Sequence, residues 1–107
     1  MSTPSFTTQL RAGGTPLVIA EGAGTISFRV EASDIWEAVR VSARPETPVA
    51  DVKARVVAAL FQNEQVADFV LKFRGWEILD ENAALKDVGI VEGSIVLLAI
   101  RRRRPVR

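Results

Sequence analysis

The sequence predicts an α+β domain of two layers, a mixed four-stranded sheet packed on one helix. Two observations carry that expectation. Apolar residues alternate at period two through 25–43, take up the 3.6-residue period of a helix from Val49, and return to period two from Phe69. The closing stretch Ile95–Ile100 is a continuous apolar run, the pattern of a strand in the middle of a sheet.

Residues 1–24 are rich in Ser, Thr, Gly, Pro and Ala, with breaks at Gly13-Gly14-Thr15-Pro16 and Glu21-Gly22-Ala23-Gly24. Only Leu17-Val18-Ile19 has the character to pack, so 1–24 is predicted as a flexible N-terminal segment with room for one short docked strand. The domain proper is expected over 25–101, and 102–107 as a basic C-terminal tail.

Ile26, Phe28 and Val30 alternate with Ser27, Arg29 and Glu31, the pattern of a half-buried strand. After the turn cluster Ala32-Ser33-Asp34, the residues Val39, Val41 and Ala43 repeat the alternation, which makes an antiparallel hairpin. Thr47 reads as a helix N-cap and Pro48 as the first helical residue. Val49, Val52, Val56 and Ala59-Leu60 form one stripe of a helix over about 48–61, with Asp51, Lys53 and Arg55 off that stripe and expected in solvent. Phe69, Leu71 and Phe73 then point inward and Val70 and Lys72 outward, and Gly75 ends the strand. Leu85–Ile90 suggests a short turn of helix. The order β-β-α-β-short helix-β places the last strand parallel to the first, with the helix as a right-handed crossover on one face and the other face open.

Composition narrows the function. At 107 residues with 48% hydrophobic and 25% charged content, the chain suits one globular domain. It has no cysteine and no histidine, which removes disulfides, thiolate nucleophiles, the commonest general base and the commonest metal ligands. Tyrosine is absent too and no close acid pair stands out, so neither an enzyme nor a cofactor is expected. No apolar run is long enough to span a bilayer and the N-terminus lacks a secretory pattern, which makes the cytoplasm the expected location. Net charge is +1, but five arginines fall in the last seven residues. The remainder carries nine basic and thirteen acidic groups, an acidic body with a basic end.

Several segments resemble ubiquitin in order and spacing. Pro45 followed by Val49-Ala50-Asp51-Val52-Lys53-Ala54-Arg55-Val56 is similar to the start of its helix. Leu71-Lys72-Phe73-Arg74-Gly75 resembles its central strand and glycine, and Leu85-Lys86-Asp87-Val88-Gly89-Ile90 through Ser94 the stretch before its last strand. The resemblance covers roughly residues 25–104 and implies the β-grasp fold and activity by being bound. Conjugated members end in Gly-Gly, whereas no glycine follows Gly93 here, which argues against conjugation by the standard route. Two versions of the function stay open: a modifier of a bacterial ubiquitination-like pathway with an unusual or processed tail, or an unconjugated adaptor similar to those of type VII secretion. The Arg/Ala/Val-rich composition suits a bacterial source.

The resemblance also implies a partner surface on the open sheet face. By position, the apolar triad through which ubiquitin is recognised falls on Lys72, Ala99 and a hairpin-loop residue, Ile35, with Leu97 in place of the neighbouring histidine. Val70, Lys72, Leu97 and Ala99 are therefore expected to point outward, with Ile35 and Trp36 beside them. Trp36 and Trp76 are out of phase with the inward alternation, and tryptophan is common both in contact sites and at core edges. Arg101, Arg102, Arg103 and Arg104 complete the expected binding set. The partner is expected to be a protein, such as an activating enzyme or protease of a ubiquitin-like pathway, and the chain a monomer. Nucleic acid is poorly supported, because no aromatic residue interleaves the arginines.

Overall fold

The structure is a computed structural model that describes residues 16–61 and 64–101. Strands β2 (Ile26–Ala32) and β3 (Glu37–Ala43) form the antiparallel hairpin, with Phe28 opposite Val41 and Val30 opposite Val39. Helix α1 (Val49–Leu60) follows, then β4 (Phe69–Phe73), and β6 (Ile95–Ile100) is the last strand along the described chain. β6 lies between β2 and β4, parallel to the first and antiparallel to the second. The apolar run at 95–100 is thus a central strand, and the two-layer α+β architecture is as the sequence predicts.

The sheet has two further strands that periodicity does not show, the first of them where one short docked strand is expected at Leu17-Val18-Ile19. β1 (Leu17–Val18) runs parallel to β3 at Val41–Ser42, and β5 (Trp76–Glu77) returns antiparallel to β4, giving the order β1-β3-β2-β6-β4-β5. Two residues are too few to establish a period. β5 owes its place to the two-residue turn Arg74-Gly75, whose φ angles of 58° and 85° are the left-handed geometry of a tight hairpin. Residues 1–15, most of the predicted flexible segment, lie outside the described residues.

The start of the helix differs from expectation. Pro48, not Thr47, is the N-cap, and no side chain caps it. Instead the Val49 and Ala50 N–H groups donate to the carbonyls of Ala83 and Glu81, at 2.9 and 2.7 Å. Thr47 accepts through its backbone oxygen from the Leu85 N–H. A loop laid across the helix end satisfies the donors that a capping hydroxyl would otherwise take. That loop leads into the 3-10 turn Leu85–Val88, which Gly89 closes at φ 94°.

Val52, Val56, Val57, Phe28, Val30, Phe69, Leu71, Leu85, Ile90 and Leu98 fill the single core between helix and sheet. Arg55 and Asp51 are exposed as expected, but Lys53 is not: it is 6% exposed. Lys53 lies four residues after Val49 and three before Val56, so the helical period carries it onto the buried face. Its ammonium donates to the Phe69 carbonyl at 2.9 Å and to Glu81 Oε2 at 2.8 Å. Both the burial and the charge are thereby satisfied. Phe69 lies on the part of β4 that β5 does not reach, so the lysine also closes an otherwise open stretch of strand edge.

Candidate protein-interaction face

The register of the sheet decides which predicted residues meet. On the face away from the helix, Lys72 stands opposite Leu97 and Val70 opposite Ala99, while Glu31 flanks Leu97 from the other side. Lys72 is exposed, Leu97 is 38% exposed and Ala99 is half-buried. These three form a continuous strip across β4 and β6.

Val70 is a correction. It shares the outward row with Ala99, outside the main core, yet it is only 4% exposed. Arg101 and Glu77 bracket its position on the sheet. The Arg101 N–H donates to the Asp68 carbonyl, which continues the β6–β4 register, and its Nη2 reaches Glu77 Oε2 at 2.8 Å. Glu77 faces Lys72 from β5, so by register this ion pair crosses β4 at the level of Val70. Buried as it is, the valine offers no contact surface of its own. Arg101 is engaged within the fold, and Arg102, Arg103 and Arg104 lie outside the described residues.

Ile35 ends the 3-10 turn Ser33–Ile35 between β2 and β3 and is at the margin of exposure. Asp34 Oδ2 accepts from the Ile100 N–H at 3.1 Å and so ties this turn to the end of β6. Trp36 follows in the left-handed conformation at φ 56° and is 90% exposed. A non-glycine residue held there is uncommon, and it presents the indole to solvent. Ile35 and Trp36 therefore stand at the end of the sheet that also carries Ala99. Trp76, 77% exposed, and Leu79, 82% exposed, belong instead to the β5 edge. The sequence reading missed Ile95, which is 53% exposed; its position two residues before Leu97 was the available signal.

Among the described residues no group of acidic side chains is placed to hold a metal, and no helix is long and apolar enough to cross a membrane. No protein-family model matches the chain. No curated protein sequence matches it either. Solved structures do. A ubiquitin-like domain from Arabidopsis thaliana superposes with a TM-score of 0.63 at 17% identity, over 83% of this chain and 90% of its own. The ubiquitin of Caldiarchaeum subterraneum gives 0.64 at 17% identity, over 77% of this chain and all of its own. The N-terminal ubiquitin-like domain of the 4931431F19Rik protein gives 0.63 at 20%, over 88% and 95%.

The chain has the ubiquitin-like β-grasp fold.

At these identities the likeness is one of fold. Within a ubiquitin-like domain the outward sheet face is the one left uncovered by the helix, and here that face carries Leu97, Ile95 and Lys72 among polar neighbours.

Proposed function

We propose that this chain is a non-catalytic, ubiquitin-like protein-interaction or modifier module, acting in the cytoplasm as a monomer. Its working surface is the outward sheet face, centred on Leu97 with Lys72 and Ala99, and bordered by Ile35 and Trp36. The observation that carries this reading is the exposure of Leu97 and Ile95 on a central strand, where a sheet left permanently in water would be expected to place polar residues. Lys72 adds a cation to the apolar strip and biases selection toward an acidic partner. The partner is a protein such as an activating enzyme or protease of a bacterial ubiquitination-like pathway, with the basic tail from Arg102 onward extending the contact.

A second reading, an unconjugated adaptor similar to those of type VII secretion, is favoured by the Arg101–Glu77 pair. It ties Arg101, the last described residue, to β5, whereas conjugation needs a C-terminal segment presented freely to an enzyme channel.

Leu97→Asp tests the shared core of both readings. It is expected to weaken partner binding more than about tenfold, or about 1.4 kcal/mol, and to leave the thermal midpoint nearly unchanged. Isothermal titration together with a melting curve measures both. Unaltered affinity would move the binding surface elsewhere, and an unfolded variant would mean that Leu97 is core.

A further inference from the structure

The outward face carries a charge arrangement that the fold does not need. Arg29 of β2 stands directly opposite Arg40 of β3, and both are exposed. Like charges directly opposite in an antiparallel pair destabilise the sheet. Glu31 compensates Arg29, with Nε and Oε2 3.2 Å apart. Among the described residues no ion pair or hydrogen bond holds the Arg40 side chain. Across the sheet the row continues onto Ile95, which lies opposite Arg29 on β6. Leu97 and Lys72 occupy the next row. Three cations and one carboxylate thus surround two exposed apolar side chains. A shallow groove of about 270 Å³, lined by Arg29, Glu31, Ala38 and Trp36 among others, opens alongside.

We propose that the row Arg40–Arg29–Ile95 docks an acidic protein segment. Carboxylates of the segment meet the two guanidinium groups, and an apolar side chain rests on Ile95 and Leu97. The inference rests on the partner-binding reading of the same face; it adds the partner's chemistry and two residues that lie outside the Lys72–Leu97 centre. A guanidinium offers paired donors that match a carboxylate, and Arg40 has all of its donors to give. The neighbourhood selects peptide over nucleic acid. Ile95 and Leu97 match an apolar side chain placed between acidic residues and offer a phosphodiester chain nothing. The repulsion between Arg29 and Arg40 is a stability cost that an anionic partner relieves, as expected where binding and stability compete.

The experiment uses the full chain, labelled with nitrogen-15. It is titrated with a blocked peptide of sequence Glu-Val-Glu-Leu-Glu, with the Lys-Val-Lys-Leu-Lys counterpart, and with oligodeoxythymidine. The acidic peptide is expected to shift the amides of Arg29, Arg40 and Ile95, and the lysine peptide to leave them in place. Arg40→Glu turns the like-charge pair into an opposite-charge pair. It is therefore expected to raise the denaturant midpoint while weakening the acidic peptide by about tenfold or more. Loss of binding in a more stable variant excludes unfolding as the cause. Equal affinity for Arg40→Glu, shifts that avoid these residues, equal binding of the lysine peptide, or binding of the oligonucleotide alone would overturn the proposal. If Leu97→Asp weakens the acidic peptide and Arg40→Glu does not, the face stands and the acidic docking row falls. If neither substitution has an effect, both fall.

Discussion

Lys53→Met is expected to lower stability by about 2–3 kcal/mol, read as a shift in denaturant midpoint. Methionine has a similar length and keeps the apolar stem of the side chain packed in place. What is lost is the ammonium, and two groups are left behind. The Phe69 carbonyl loses its donor at 2.9 Å, and the Glu81 carboxylate, whose side chain is 27% exposed, loses its cation at 2.8 Å. Breaking a buried pair from one side costs about 3–5 kcal/mol when both charges are fully buried. Glu81 retains some water, which places the expectation below that range. The double variant Lys53→Met/Glu81→Leu is expected to recover part of the loss, because no charge is then stranded. Glu81 also accepts the Ala50 N–H through its backbone, so one loop residue secures the helix both by its main chain and by its side chain. A single variant as stable as the parent would mean that Lys53 reaches water and that its buried position is wrong.

Phe69→Ala is expected to be the most damaging single truncation, costing about 3–5 kcal/mol. Phe69 is 1% exposed and its ring lies 4.6 Å from that of Phe61, tilted by 48°. The contact joins the end of α1 to the first residue of β4 and so closes one end of the core. A domain of this size has roughly 5–15 kcal/mol of stability in total, so the variant would be marginal at physiological temperature. Chemical denaturation measures it directly. A loss below about 1 kcal/mol would show that the helix end and β4 pack independently.

The fold was legible in the sequence wherever an element was long enough to show its period. The hairpin at 26–43, the helix at 49–60 and the central strand at 95–100 all satisfy that condition. β1 and β5 do not, and their pairing depends on neighbours distant in sequence. Thr47 looked like a cap because the local pattern fits one; the competing carbonyls come from residues 81 and 83, which no local pattern reveals. Lys53 was misplaced through its charge, although its spacing from Val49 and Val56 already put it on the core side.

The candidate site was legible in part for the same reason. Alternation along β4 gave the outward direction of Lys72, whereas that of Leu97, inside an unbroken apolar run, came from the resemblance by position. Alternation also gave the direction of Val70, but not its burial. Arg29 and Arg40 each looked like an ordinary surface charge. Only the register, which sets them opposite each other, makes the pair informative.

Site-specific photo-crosslinking tests the central claim most directly, because it asks which face of the folded domain touches another protein. A photoreactive phenylalanine is placed at Leu97 in one version of the full chain. In a second version it is placed at Ala58, an exposed position on α1. Irradiation in cells is expected to give a discrete crosslinked protein from position 97 and none from position 58. A crosslink from position 58 with nothing from position 97 would contradict a binding surface on the outward face of the sheet.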